Sequence, residues 1–395
     1  MKNELPRYTY LYFVAQSINL TTAVMSVTMA AIVGSTLAPV AALSTVPYGF
    51  QFLFLLLATY PASRLMSRIG RKKTFILGAI PLAGSGFIGF WAVENKNFAM
   101  LVLSHSALGI YIAVANFSRF AAADNLNPSL KPKAISLVVA GGIIAAVVGP
   151  TLTELFREVG GYSLFSLCYA SFIGLAFLSS LVATFLPKKV VVAVFQRESG
   201  KAAALQAPLT TREIGIAIAV AGLGYGVMNL LMIQSSLHMR GMGEDFSNIR
   251  ISIQWHVLAM FLPSFFSGSI IHKFGEKITL CAGLVMLVGC TLINIGSSTY
   301  IMMVSSLIIL GFGWNLTYIG GGAMLARPLM DLSAATKMQG KSDLAIAICA
   351  TVGAFTPSLL FDILGWEGTN ILCMALCIVL LWGTIKLLKN NHSPG

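Results

Sequence analysis

The sequence predicts an all-α membrane protein, with twelve transmembrane helices in two pseudo-symmetric six-helix bundles. Three observations predict it. Of the 395 residues, 56% are hydrophobic and only 10% charged, against about 25% charged in a soluble domain. Apolar runs of about 20 residues recur along the chain, each able to cross ~30 Å of hydrocarbon as a helix. The chain also echoes itself. SRLMSRIGRKK (63–73) and GSIIHKFGEK (268–277) each follow the second run of their half, with Gly70 and Gly275 205 residues apart.

In order, the spans are expected at 8–33, 38–63, 74–93, 98–118, 134–154, 162–187, 213–237, 249–271, 277–296, 299–325, 342–364 and 367–388. The short start MKNELPR leads straight into span one with no cleavable signal. The longest polar break begins at Lys188 and divides the chain into an N-terminal bundle (1–187), a cytoplasmic linker (188–212) and a C-terminal bundle (213–395). Span five carries GGIIAAVVGPTL (141–152), where glycines permit close packing and Pro150 bends the helix. Thr153 and Glu154 follow it. Span ten carries GFGWNLTYIGGGAML (311–325), a second small-residue stripe. Its Trp314, Asn315 and Tyr318, with Trp255 on span eight, are candidate cavity-lining residues. All six cysteines fall within apolar runs, where Cys is a small core residue and not part of a loop disulfide framework.

The net charge of +12 is distributed for membrane orientation and calls for no nucleic acid. With the N-terminus inside, 22 of the 26 Lys and Arg face the cytoplasm, and only Lys96, Arg157, Arg240 and Arg250 fall outside. Both termini are then cytoplasmic, and membrane lipid is a partner of the basic loops. No phosphate-cradling Gly-x-x-x-x-Gly-Lys-Ser/Thr loop occurs, which argues against ATP-driven transport. No catalytic triad or carboxylate pair points to an enzyme.

Two side-chain pairs stand out. Met228 and Met232 lie four apart on span seven, and His256 and Met260 four apart on span eight. Such spacing puts each pair on one helix face. Counting at 1.5 Å per residue brings both pairs to overlapping depth in the outer half of the membrane. Thioether and imidazole donors without carboxylate favour Cu(I). The same residues equally fit ordinary core filling, since Met fills irregular gaps. Met25 and Met29 on span one, His238, Met239 and Met242 at the outer end of span seven, and His105 on span four form a candidate secondary metal path, with interfacial packing as the alternative. Asp124 and Asp343 are candidate gating or coupling carboxylates, solvated end-caps being the other reading.

The loops at 63–73 and 268–277 resemble the basic motif of the major facilitator superfamily, Gly-x-x-x-Asp-Arg/Lys-x-Gly-Arg-Lys. Ser67 and His272 replace its acidic residue. The resemblance implies a secondary transporter cycling by alternating access, with Arg68, Arg71 and Lys72 as gating residues, topology determinants beside anionic lipid being the other reading. The Met-x-x-x-Met and His-x-x-x-Met pairs, with SRFAAAD (118–124), KAISLVVAGG (133–142), IQWHVLAMFLPSFFSG (253–268) and GFGWN (311–315), resemble the CcoA-like copper importers, a bacterial branch of that superfamily. The branch implies copper import across the bacterial inner membrane, with Met228, Met232, His256 and Met260 as ligands. Copper is then cargo and not a cofactor, and a cytoplasmic acceptor feeds a cuproenzyme such as a haem–copper oxidase. Between the pairs the chain reads IQSSLHM (233–239) where that branch has a Thr-Pro segment. The branch also contains riboflavin transporters, so import of a flavin-like vitamin on Trp255, Trp314, Tyr225 and Tyr318 is the alternative. A copper-binding sensor or assembly protein without transport is a third.

Overall fold

The structure, a computed structural model, describes residues 5–124, 126, 130–187, 210–296, 299–325 and 332–390. Most of the expected linker, 188–209, lies outside the described residues. The first half comprises α1 (Arg7–Leu37), a 3-10 turn (Ala41–Leu43), α2 (Val46–Ile69), α3 (Arg71–Glu94), α4 (Phe98–Ala115), α5 (Ser118–Ala121), α6 (Lys131–Val139), α7 (Gly141–Arg157) and α8 (Ser166–Thr184). The second comprises α9 (Thr211–Gly241), α10 (Phe246–Phe261), α11 (Ser264–Phe274), α12 (Glu276–Ile295), α13 (Tyr300–Leu325), α14 (Leu332–Phe355) and α15 (Pro357–Asn390). Among the described residues ten helices are long and apolar enough to cross a membrane, and the pair α10 and α11, bent by 44°, makes an eleventh. Expected spans 342–364 and 367–388 meet inside α15, at Gly365, whose φ of 69° breaks the helix in a region glycine tolerates.

Local chemistry sets the ends of these helices. Thr210 starts α9 with a capping box: its Oγ1 accepts from Glu213 N at 3.2 Å, and Glu213 Oε2 accepts from Thr210 N at 2.9 Å. Asp245 starts α10 by accepting from Asn248 N at 2.8 Å. Span eight, expected to run unbroken over 249–271, breaks between Phe261 and Ser264. Pro263 has no N–H to donate to the helix, and it opens α11 instead.

The repeat seen in the sequence has a structural counterpart. Gly70 (φ 86°) and Gly275 (φ 82°) each make the sharp turn between the second and third spans of their half. Two residues on, Lys72 Nζ donates to Thr184 O at the end of α8, and Lys277 Nζ donates to Leu387 O in α15. A lysine in the same register therefore meets the carbonyl end of the last helix in each half, where a cation is favoured.

Within the first half α3 packs on α4 and α8, α2 on α4, and α1 on α7. Within the second, α13 packs on α9, α10 and α12, and α9 on α14. At the last crossing a Cβ on Gly353 would stand 2.2 Å from Gly226 O, so the two backbones touch, as small residues allow in membrane helices. Gly353→Ala is expected to destabilise the chain by about 1–3 kcal/mol through overpacking. Thermal unfolding in detergent measures it, and an unchanged midpoint would show that the crossing opens freely.

The halves meet through α2 on α14, α7 on α10, α1 on α9, and α15 on the 3-10 turn. Gly49 lies against the Phe355 ring and Gly142 against the Phe261 ring, each too close for a Cβ. At the end bearing Arg240 the seal is polar. Thr45 Oγ1 and Ser358 Oγ are 2.7 Å apart, Ser358 Oγ donates to Ala42 O at 2.7 Å, and Arg240 Nη1 donates to Ser35 Oγ at 2.6 Å. Near Gly70 and Gly275, by contrast, the ion pairs Arg71–Asp124 and Lys277–Glu213 stay inside one half. The molecule is sealed at its Arg240 end.

Candidate functional site

Four aromatic rings from three helices of the second half cluster where it faces the first. Trp314 and Tyr318, one turn apart on α13, stack at 5.2 Å and 12°. Tyr225 of α9 meets Trp314 edge-on at 5.5 Å and Tyr318 at 6.1 Å, and Phe261 of α10 meets Trp314 at 6.4 Å. The cluster borders the first half on two sides. Phe261 abuts Gly142 of α7. Asn229, one turn along α9 from Tyr225, accepts from Tyr48 OH of α2 at 3.5 Å and donates to Ala350 O at 3.0 Å. Trp314 is 7% exposed, and its Nε1 donor has no hydrogen-bond partner among the described residues. Arg119 of the first half lies within electrostatic reach of Tyr225 and of Asp343, which is exposed on α14.

Two other residues expected in the lining, Asn315 and Trp255, lie apart from the ring cluster. Asn315 is a structural tie: its Nδ2 donates to Met260 O at 2.7 Å and to Ser264 Oγ at 2.8 Å, and its Oδ1 accepts from Ser267 Oγ. It holds both sides of the α10–α11 break against α13. Trp255 is 51% exposed, outside the cluster, because its neighbour His256 takes the inward face of α10.

The candidate metal ligands are buried. Met228, Met232 and Met260 share one apolar core with Met25, Met29 and Met239, and His256 is fully buried, although α9 and α10 lean on α13 far more than on each other. His256 Nδ1 is 2.7 Å from Leu307 O. A carbonyl only accepts, so Nδ1 carries the proton and Nε2 presents a lone pair, buried and unpartnered among the described residues. Among the described residues no group of three or more His, Cys, Asp or Glu could hold a metal ion. His105, expected on the metal path, lies elsewhere in a polar pair of contacts. Its Nδ1 is 3.1 Å from Gln51 Oε1 and its Nε2 3.0 Å from Tyr169 OH, so both nitrogens are engaged inside the first bundle. His238 stacks on Trp366 at 4.3 Å and 4°, and Met242 beside it is partly buried.

Of the expected gating residues, Arg71 and Asp124 come together in a two-point pair, Nε–Oδ2 at 2.6 Å and Nη2–Oδ1 at 3.0 Å. Lys72 closes α8 as described, and Arg68 is exposed at the end of α2. Sequence reasoning passed over Tyr48, Asn229 and Phe261, since only the tertiary fold brings residue 48 to residue 229. It also passed over the pairing of Glu154 with Arg250, whose signal was a pair of charges placed away from the basic side.

Long apolar helices, a repeated glycine junction and a seal between two halves define a membrane carrier. Residues 10–248 match the Major Facilitator Superfamily, and the chain belongs to that family. Over 378 residues it is 30% identical to "Riboflavin transporter RfnT" of Brucella anthropi, covering 95% of this chain and 94% of that one. It is 26% identical over 312 residues to the uncharacterized MFS-type transporter YdeG of Bacillus subtilis, covering 73% and 70%. The crystal structure of nucleoside transporter NupG superposes with a TM-score of 0.69 at 13% identity, covering 97% of this chain and 100% of that one. That likeness is one of fold.

Proposed function

We propose that the chain carries a flat, ring-bearing organic solute of the riboflavin kind through the cleft between its halves by alternating access. The observation that carries this reading is the four-ring cluster of Tyr225, Phe261, Trp314 and Tyr318 beside the first half. Aromatic rings hold a planar solute by stacking and edge contacts. The unpartnered Trp314 Nε1 and the charges of Arg119 and Asp343 supply polar recognition nearby. Similarity over nearly the whole chain to a protein named a riboflavin transporter supports the same reading. Transport direction is inward on this reading, and the Lys/Arg bias supports cytoplasmic termini in a bacterial inner membrane.

Copper import, expected from the Met and His pairs, gives way to the flavin-type alternative. Its support was spacing and branch resemblance, whereas the four residues sit in a tightly buried core with one imidazole among three thioethers. Copper binding without transport loses ground equally, since the chain belongs to a transporter family.

Uptake of radiolabelled riboflavin and of radioactive copper, measured side by side in cells that neither make nor import riboflavin, tests this. Saturable riboflavin uptake above the empty-vector level is expected, with copper uptake unchanged. Copper uptake alone overturns the proposal.

A further inference from the structure

Four basic residues break the charge bias of the chain: Lys96, Arg157, Arg240 and Arg250. Positive charge away from the cytoplasmic loops opposes the usual topology signal, so each needs a local reason. For three of them the reason is the other half of the molecule. Arg240 of α9 reaches α1, donating to Ser35 Oγ at 2.6 Å and Ile32 O at 3.2 Å. Arg157 of α7 lies over the Phe246 ring of α10 at 5.1 Å. Arg250 of α10 meets Glu154 of α7, Nε to Oε2 at 3.4 Å. The acidic partner, Glu154, stands just after the Gly-Pro stretch of span five.

We propose that the Glu154–Arg250 pair, with Arg157 beside it, is the lock of the carrier's Arg240 end, and that the carrier opens there by parting this pair. Glu154 is its hub: Oε2 faces Arg250 of the second half, and Oε1 is 3.8 Å from Arg157 on its own helix. Arg157 in turn lies 3.7 Å from Glu158. The side chains of Arg250 and Glu154 are 16% and 33% exposed, so their charges are only partly screened by solvent. Yet Arg250 Nε and Glu154 Oε2 do not meet as an aligned hydrogen bond. The attraction is charge to charge, strong enough to bias a seal and weak enough to part in each cycle. Neutral contacts of the seal include Thr45 with Ser358 and Phe165 against Phe246 at 5.0 Å. Removing one charge therefore shifts the balance between closed and open without disturbing either bundle's core. The lock acts on the scaffold, whichever solute is carried.

The test places spin labels at Val40→Cys and Gly241→Cys, exposed positions on opposite halves of this end, in purified full-length protein. Pulsed electron paramagnetic resonance reads the distance between them. In the parent chain the short distance dominates. Glu154→Gln and Arg250→Gln are each expected to raise the long-distance population about tenfold, a shift of about 1.4 kcal/mol. The exchanged pair, Glu154→Arg with Arg250→Glu, is expected to restore the short distance, and Arg250→Lys to keep most of it. These last two variants separate loss of the lock from misfolding. Unchanged distances in both glutamine variants, or an exchanged pair as open as the single variants, overturn the proposal.

Discussion

Lys277→Ala is expected to lower the stability of the chain by about 1–3 kcal/mol, the loss of a charge-assisted hydrogen-bonded partner at a partly buried site. Lys277 Nζ lies 2.7 Å from Glu213 Oε1, and the two side chains are only 7% and 12% exposed. Lys277 also donates to Leu387 O, so its loss frees a helix-end carbonyl as well as a carboxylate. Glu213 is bound to its place by the capping box with Thr210 and does not swing out to water. The carboxylate therefore stays at the start of α9, held by the cap alone. Lys277→Met with Glu213→Gln removes both charges and keeps the cap, so the double variant recovers most of the loss. Thermal unfolding of the purified protein in detergent measures all three. A double variant as unstable as Lys277→Ala would show that the lysine acts through Leu387 O alone. At the matching place in the first half, Lys72 donates to Thr184 O while Asp124 pairs with Arg71, so there the two tasks fall to separate cations.

The same pair shows how far the sequence reached. Gly70 and Gly275 mark the repeat in the bare sequence because a tight turn needs φ values near 86° and 82°, which glycine adopts freely. Lys277 read there as one more topology charge, since nothing in its neighbours shows that Glu213, 64 positions earlier, folds onto it. The spans were legible from hydropathy, but the bend after Phe261 was not, because Pro263 interrupts hydrogen bonding and leaves apolarity untouched. At the site, i,i+4 spacing placed Met228 with Met232 and His256 with Met260 on common faces. It says nothing about what those faces meet. Hydropathy treats a thioether against a core and a thioether around a metal alike, and burial of Met228, Met232 and Met260 is common to both. Trp314 and Tyr318 emerged because a small-residue stripe made them conspicuous. Phe261 and Tyr48 had no such setting and gained meaning only from Gly142 and Asn229 across the interface.

If the proposed riboflavin cargo is carried, Trp314→Ala is expected to raise the KM for its uptake by about thirtyfold or more, because a central buried aromatic anchor contributes about 2 kcal/mol or more to binding. Trp314 touches every other ring of the cluster: it stacks on Tyr318 and takes the edges of Tyr225 and Phe261. Its loss removes a wall and lets the remaining rings tilt. Trp314→Phe keeps a ring and deletes the unpartnered Nε1 donor, so it isolates the polar contribution and is expected to cost about three- to tenfold in KM, the range for one hydrogen bond. Trp255→Ala removes an equally large side chain that is 51% exposed and changes KM by less than about twofold. Met228→Leu, a volume-conserving change in the core, likewise leaves uptake within about twofold. The four variants divide the two chemistries proposed for this chain. A solute held by rings follows Trp314 and ignores Met228, whereas a soft metal follows Met228 and ignores Trp314. Uptake abolished by Met228→Leu and untouched by Trp314→Ala would return the cargo to the thioethers.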